Sequence, residues 1–217
     1  TTWTLQSSTV TNLYNSLHGV AALPDGNNLW AVGFQGIILH TTNGGGTWAS
    51  QASGTGSWLF GVFFTDLNRG IVVGWNGRIL RTTNSGTTWT QQTIGTTRQL
   101  FRVFFTDANT GTTVGDSGTV FRTTNGGGTW ASQTSGTTNK LFGVSFTDAN
   151  TGTVTGDSGT ILRTTNGGIT WAKQISGTIN RLDEVFFTDA NTGTVVGDSG
   201  TILRTTNGGG TWAKQPS

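Results

Sequence analysis

The chain has 217 residues, of which 33% are hydrophobic, 10% are charged and 35 are glycines. The formal net charge of +2 comes from basic residues spread along the chain, without the concentrated basic stripe that is typical of nucleic-acid-binding proteins. The absence of cysteine excludes disulfides and thiolate metal sites, and no apolar run is long enough for a membrane-spanning helix.

The chain begins with "TTWTLQ" at residues 1–6, which is a copy of the fourth predicted strand of each later repeat. In a ring of repeated sheets, we expect this segment to act as a closing strand that competes with or displaces Thr211–Gln215 in the last sheet. The alternative is that it is the cut edge of a longer array. Because the chain starts at Thr1 and contains no methionine, we also expect a processed, exported protein.

A turn rich in glycine and threonine recurs along the rest of the chain. Its first copy is "TTNGGGTW" at Thr41–Trp48, and its tryptophans follow one another at a constant spacing of 41 residues. A constant period near 40 residues is typical of solenoids and propellers. The last two units, Val144–Trp171 and Val185–Trp212, differ at three positions, which indicates recent duplication or design.

Each unit predicts four short strands. In Leu100–Gln133, the runs "LFRVFFT", "TTVG", "TVFRTT" and "TWASQ" favour strands, and "DANTG", "DSG" and "NGGG" favour turns. Four antiparallel strands in about 40 residues make one propeller blade. The sequence therefore predicts an all-β fold, a five-bladed β-propeller in a single domain of residues 1–217. The predicted blades cover approximately 7–51, 52–92, 93–133, 134–174 and 175–215.

The recurring turn between the third and fourth strands resembles the Asp-box of BNR-repeat propellers, with Asn where that family usually has Asp. The resemblance implies that the Asn side chain accepts hydrogen bonds from turn N–H groups, that the glycine adopts a conformation closed to other residues, and that the tryptophan packs on the sheet. The positions concerned are Thr41, Asn43, Gly45, Thr47, Trp48, Asn84, Trp89, Asn125, Trp130, Asn166, Trp171, Asn207 and Trp212.

The longer text "GVFFTD…G…VG..G.IL.TTNGG.TW" is similar to the photosystem II stability/assembly factor-like family, and this resemblance covers essentially the whole chain. It implies a non-catalytic scaffold that binds a protein partner on one propeller face. It also implies an exported protein at the periplasm, the cell surface or the outside, or in the thylakoid lumen for a true assembly factor. No cofactor or metal is implied.

Departures from the repeat indicate where a ligand or partner could bind. The second hairpin of a blade reads "GDSG" in blades 3–5, but it carries Phe34 in blade 1 and Trp75 in blade 2. The loop that enters blade 2 carries Trp58, and this loop shares a face with the hairpins. Adjacent exposed aromatic residues form a platform for a sugar ring or a partner loop, or they pack only on their neighbouring loops.

The start of the first strand also varies. It carries His18 in blade 1, Arg102 in blade 3, and Asp183 with Glu184 in blade 5. Closure of the ring would bring His18 near the two acids, where such a pair could do acid–base work or form part of a solvated rim. Regular Arg–Asp pairs are predicted on the opposite face, from Arg81, Arg122, Arg163 and Arg204 to Asp66, Asp107, Asp148 and Asp189.

The sequence does not favour catalysis. A sialidase needs three arginines that converge with a tyrosine, but Tyr14 is the one tyrosine and the arginines follow the repeat. A glycosidase needs two facing carboxylates, and only Asp183 and Glu184 stand out. The sequence therefore predicts an interaction scaffold. A lectin-like propeller and an engineered or consensus propeller without natural activity are the alternatives.

Overall fold

The computed structural model describes residues 16–216, and these residues form five antiparallel sheets of four strands each. In every sheet, the strands that are consecutive in the chain are neighbours. This arrangement confirms the predicted fold class, a five-bladed β-propeller, and each sheet is one blade. The chain divides into two compact units, one up to Thr97 and the other from Arg98.

The first unit contains blades 1 and 2. Its strands are β1 (Leu17–Ala22), β2 (Leu29–Gly33), β3 (Ile38–Thr41), β4 (Ala49–Gln51), β5 (Leu59–Phe64), β6 (Gly70–Gly74), β7 (Ile79–Thr82) and β8 (Thr90–Gln92). Short 3-10 turns at Phe34–Gly36 and Trp75–Gly77 join the second strand of each blade to the third.

The second unit contains blades 3 to 5. Its strands are β9 (Leu100–Phe105), β10 (Gly111–Gly115), β11 (Val120–Thr123), β12 (Ala131–Gln133), β13 (Leu141–Phe146), β14 (Gly152–Gly156), β15 (Thr160–Thr164), β16 (Ala172–Gln174), β17 (Leu182–Phe187), β18 (Gly193–Gly197), β19 (Thr201–Thr205) and β20 (Ala213–Lys214). A 3-10 turn at Asp116–Gly118 joins β10 to β11.

The outer strand of the last blade comes from the C-terminal part of the chain. Lys214 of β20 pairs with Leu203 of β19, and Ala213 pairs with Arg204. The fourth strand of this blade is therefore its own. The predicted closing strand at residues 1–6 and Tyr14 lie outside the described residues.

The core of each unit lies between consecutive blades. In blade 2, a bulge after Leu59 places Leu59 and Val62 on the same side of the sheet, where Phe64 joins them. This side, which we call the rear face, packs on Val32 and Ile38 of blade 1. We call the side of a blade that carries the counterparts of Val32 and Ile38 its forward face.

The same contact repeats in the second unit. Leu141, Val144 and Phe146 on the rear face of blade 4 pack on Val114 and Val120 of blade 3. Ile161 of blade 4 packs on the rear face of blade 5. Blade 4 therefore buries apolar residues on both sides, and this explains why apolar residues run consecutively in its first strand.

The recurring turn is held by two side chains. In blade 4, the buried Thr164 Oγ1 accepts a hydrogen bond from the Gly168 N–H at 2.8 Å and donates one to Asn166 Oδ1 at 2.9 Å. Asn166 Oδ1 also accepts from the Thr170 N–H at 3.0 Å. The Trp171 ring packs edge-on to Phe146, with ring centroids 6.1 Å apart. The turn thus fixes the outer strand to the blade core.

Two polar contacts connect blade 4 to blade 5. The Arg163 guanidinium lies 4.9 Å from the centroid of the Phe187 ring and donates to the Ala190 carbonyl at 2.6 Å. The Gln174 side-chain amide donates to the Gly208 carbonyl in the recurring turn of blade 5, at 3.1 Å. In blade 3, Arg122 and Gln133 make the same contacts to blade 4, with Ala149 and Gly167 as acceptors.

These contacts differ from the predicted Arg–Asp pairs. Arg163 also donates to Thr153 Oγ1 at 3.0 Å, and within residues 16–216 it forms no salt bridge with a carboxylate. In blade 3, Asp107 Oδ1 accepts from the backbone N–H groups of Asn109 and Thr110. The bond from Asn109 does most to hold the pKa of Asp107 below its usual value. Asp107 and Asp148 still interact by charge with Arg122 and Arg163, the predicted partners, but their carboxylates bond to the backbone of their own turns.

Blade 1 replaces the arginine with His40, and this substitution predicts a pH effect. The His40 ring is stacked on Trp30 at 4.2 Å, and Trp30 is stacked on Phe64 of blade 2 at 3.5 Å. Burial lowers the pKa of His40 below 6.5, so folding favours the neutral ring. The stabilisation is fully present above the unfolded pKa and is lost as the pH falls through the folded pKa.

We therefore expect the free energy of unfolding to fall between about pH 7 and pH 5, and His40→Gln to flatten this slope. Urea unfolding at several pH values measures the effect. Equal slopes in the wild type and His40→Gln would contradict the assignment.

Candidate interaction site

The aromatic residues that depart from the repeat lie on two hairpins and on the loop that enters blade 2. They are Phe34, Trp75 and Trp58. Each hairpin has a residue in the left-handed region at its tip, Gln35 with φ 52° and Asn76 with φ 55°. A Cβ atom at Gly36 would lie 1.9 Å from the Thr55 carbonyl oxygen, so only glycine fits where the incoming loop crosses the hairpin. This close approach holds the loop and the hairpins together.

Trp58 is the centre of an aromatic cluster in the first unit. Its ring centroid lies 4.9 Å from that of Phe34, 5.7 Å from that of Trp75 and 6.1 Å from that of His18. Phe60 lies 5.6 Å from His18 and 6.4 Å from Trp58. We define the aromatic cluster as these five residues, His18, Phe34, Trp58, Phe60 and Trp75. The structure therefore brings four of the predicted site residues together.

The aromatic cluster is accessible to a ligand. Trp58 and Trp75 are each 40% exposed, and His18 is exposed as well. Backbone hydrogen bonds fix the platform, since the Trp75 N–H donates to the Trp58 carbonyl at 2.8 Å. Such a surface presents rigid apolar rings with polar edges, which suits a peptide or a sugar ring.

The other three predicted residues lie in the second unit and form ion pairs. Glu184 pairs with Arg102, and Asp183 pairs with Arg181 at 2.7 Å. Burial raises the pKa of Glu184, and Arg102 opposes this rise. Arg181 also pairs with Asp198 at 3.2 Å. These carboxylates are each partnered by an arginine, an arrangement that forms a charge network at the start of the first strands.

Three further observations concern metal binding, a cavity and membrane crossing. Within residues 16–216, no group of three or more His, Asp or Glu side chains could hold a metal ion. A cavity of about 710 Å³ lies beside the hairpin at Ser158 and Gly159 and is bordered by the loop at 173–179. Over the same described range, no helix is long and apolar enough to cross a bilayer.

Phe60 is the member of the aromatic cluster that sequence reasoning missed. It belongs to the "LFG" text that blades 2 and 4 share, so it does not stand out as a departure from the repeat. The signal that could have found it is its neighbour, since Phe60 lies two positions after Trp58. A residue that follows the repeat can therefore still belong to the site when it lies near a residue that departs from the repeat.

Comparisons with known proteins concern the fold and part of the sequence. Residues 82–175 match the family model described as photosynthesis system II assembly factor YCF48. A comparison with curated proteins gives no match. The chain is similar to the structure of YCF48 bound to D1 peptide, with 16% identity, a TM-score of 0.67, and coverage of 97% of this chain and 83% of that chain.

Two other solved structures show the same fold. YCF48 from Cyanidioschyzon merolae has 19% identity, a TM-score of 0.62, and coverage of 93% of this chain and 85% of that chain. The GH74 enzyme of Niastella koreensis has 17% identity and a TM-score of 0.72, with 91% of this chain but only 38% of that chain covered. At these identities, the likeness shows the fold alone. The recurring turn, the five sheets and the match of residues 82–175 make this chain similar to the photosystem II assembly factor-like family of BNR-repeat β-propellers.

Proposed function

We propose that the protein is a non-catalytic scaffold that binds a protein partner through the aromatic cluster. The observation that carries this proposal is the exposure of Trp58 and Trp75 on a platform fixed by backbone hydrogen bonds. Tryptophan is enriched among the residues that dominate binding energy at protein interfaces. The related YCF48 structure, which contains a D1 peptide, supports a peptide-like ligand.

The charged residues support binding over catalysis. Glu184 pairs with Arg102, and Asp183 pairs with Arg181. A hydrolase would need such carboxylates without an arginine partner. We propose that Arg102, Asp183 and Glu184 shape the rim of the first strands and do not react. In keeping with the family, we propose that the protein is exported.

A lectin-like role is the second candidate, because two tryptophan rings 5.7 Å apart can also stack on sugars. A glycan-binding propeller would be expected to repeat its pocket in most blades. The aromatic hairpins occur in blades 1 and 2, whereas blades 3 to 5 carry Asp116, Asp157 and Asp198 at the same position. This difference favours a single protein-binding surface.

The test is Trp58→Ala, because Trp58 contacts every other ring of the aromatic cluster. We expect isothermal titration calorimetry with the D1 peptide to show at least a tenfold loss of affinity, about 1.4 kcal/mol or more. Ile175→Ala is the control, since Ile175 is 88% exposed in the second unit and should bind as the wild type does.

A glycan array with the same variants separates the two candidates. Specific sugar binding that is lost in Trp58→Ala, without peptide binding, would replace the proposal by the lectin-like role. Peptide binding that is equal in the wild type and Trp58→Ala would place the partner elsewhere on the protein.

A further inference from the structure

The chain contains five Asn–Gly pairs, and in such a pair the asparagine side chain reacts readily with its own backbone. The nitrogen of the following residue attacks the side-chain carbonyl carbon, and a glycine at that position has no Cβ atom to obstruct the attack. Four of the pairs lie in recurring turns, and the fifth lies at the tip of the hairpin in blade 2. The asparagines of the turns are Asn43, Asn125, Asn166 and Asn207, and that of the hairpin is Asn76.

The recurring turn restrains both groups that would react. In blade 4, Asn166 Oδ1 accepts hydrogen bonds from the Thr164 hydroxyl and the Thr170 N–H, and Asn166 Nδ2 donates to Thr170 Oγ1 at 2.9 Å. The attacking nitrogen would be that of Gly167, whose N–H donates to the Asn150 carbonyl at 2.9 Å. The turns of blades 1, 3 and 5 make the same bonds. A turn must therefore open before its asparagine can react.

Asn76 lacks these restraints on its side chain. It is exposed in the short 3-10 turn Trp75–Gly77, with φ 55° and ψ 39°. Within residues 16–97, the described part of the first unit, its carboxamide makes no hydrogen bond. The tip is closed by the bond from the Arg78 N–H to the Trp75 carbonyl at 3.1 Å. Its opening breaks no bond of the asparagine side chain, whereas the opening of a recurring turn breaks several.

The backbone of this tip does not require asparagine. Gln35 holds the same left-handed conformation in blade 1 with φ 52°, and serine holds it in blades 3 to 5 with φ between 53° and 56°. Those serines are Ser117, Ser158 and Ser199. The hairpin that carries Trp75 therefore has a reactive pair at a position where the other blades have unreactive residues.

We propose that Asn76 is a modification site, at which the carboxamide is converted to a carboxylate. The Gly77 nitrogen attacks the Asn76 Cγ atom and gives its proton to water. The new C–N bond closes a five-membered succinimide ring, and the side-chain nitrogen leaves as ammonia. Water then opens the ring at either carbonyl, which yields aspartate or isoaspartate. The reaction consumes one water molecule and needs no oxidant or reductant.

The modification alters the surface next to it. Either product places a negative charge beside Trp75, and isoaspartate also adds a methylene group to the backbone between Trp75 and Gly77. This longer backbone displaces Trp75, whose N–H donates to the Trp58 carbonyl at 2.8 Å in the unmodified protein. We therefore expect the modified protein to bind its partner more weakly. This consequence rests on the proposed function, whereas the modification itself does not.

Peptide mapping by mass spectrometry tests the modification in the folded protein at mildly alkaline pH. Trypsin cleaves after arginine and releases Asn76 in the peptide Gly70–Arg78. Asn76 should be converted at least about tenfold faster than the asparagines of the recurring turns, which must open before they react. Those four asparagines are matched controls, because each also precedes a glycine. In urea, where the fold no longer protects them, the five rates should converge.

Two results would overturn the modification. Conversion of Asn76 in the folded protein at a rate no higher than that of the turn asparagines would show that the hairpin protects it equally. A difference between the five rates that persists in urea would show that the flanking residues, and not the fold, set the rate.

Two variants test the consequence for binding. Asn76→Ser, which introduces the residue of blades 3 to 5, should give the same calorimetric titration with the D1 peptide before and after incubation. The wild type should lose binding in proportion to its converted fraction, and Asn76→Asp should bind at least about threefold more weakly than Asn76→Ser. Equal binding by these two variants, and by fresh and converted wild type, would overturn the consequence. Failure of the fresh wild type to bind would contradict the proposed function, and peptide mapping would still decide the modification.

Discussion

Replacing Phe146 by alanine should lower the free energy of unfolding by about 3–5 kcal/mol. Phe146 is 5% exposed and packs with Leu141 and Val144 on the rear face of blade 4. It is edge-on to Trp171, and the Arg122 guanidinium lies 5.0 Å from the ring centroid. Alanine would remove the buried ring, leave a cavity and deprive both neighbours of their contact.

The backbone of the second strand lies against the Phe146 ring, so we expect replacements of this residue to be poorly tolerated. A Cβ atom on Gly152 would lie 2.4 Å from the Phe146 ring, so the ring sits directly on the second strand. Urea unfolding followed by tryptophan fluorescence measures the loss. Phe186→Ala is the matched control, because Phe186 is 62% exposed and should cost less than about 1 kcal/mol. Similar losses in the two variants would refute the role of Phe146 in the core.

Thr164→Val should have the second-largest effect, a loss of about 1–3 kcal/mol. Valine has nearly the shape of threonine but cannot accept the hydrogen bond from the Gly168 N–H, which is 2.8 Å long in the native turn. Thr164 is 2% exposed and Gly168 is buried, so water cannot replace the lost acceptor. Asn166 Oδ1 also loses one of its donors, the Thr164 hydroxyl, and keeps the Thr170 N–H.

Thermal and urea unfolding of Thr164→Val measure this effect against Thr165→Val. Thr165 is exposed and precedes the Asn166 of the same turn, so its replacement should change stability by less than about 0.5 kcal/mol. A loss confined to Thr164→Val would show that the threonine hydroxyl holds the turn. Equal stability of the two variants would mean that the Asn side chain alone is sufficient.

The recurring turn and the blade-to-blade contacts explain how a chain with 10% charged residues forms a defined fold. Arg163 and Gln174 each place a polar group on a backbone carbonyl of the next blade. These bonds satisfy exposed turn carbonyls and fix the register of neighbouring blades, while the apolar faces supply most of the stabilisation. Charged residues are then needed at few positions.

The aromatic cluster was partly predictable. Phe34, Trp58 and Trp75 depart from the repeat. Such departures can be recognised in one sequence because the equivalent positions of the other blades serve as the comparison. Their mutual distances could not be read in this way, because Trp58 and Trp75 lie in different loops. The contact of His18 with Trp58 was not predicted at all, since the sequence suggested a carboxylate for His18.

The sequence by itself determined the five blades, because a constant spacing of 41 residues and the alternation of strand-forming and turn-forming runs depend only on local preference. It also determined the position of each recurring turn, which local hydrogen bonds close. Only the tertiary structure decided the partners of long side chains. Arg102 pairs with Glu184, which lies 82 positions away in the chain. Arg163 donates to the Ala190 carbonyl and not to an aspartate. These partners depend on which polar groups the packed blades bring within hydrogen-bonding distance. They also depend on which of those groups already have a hydrogen-bond partner.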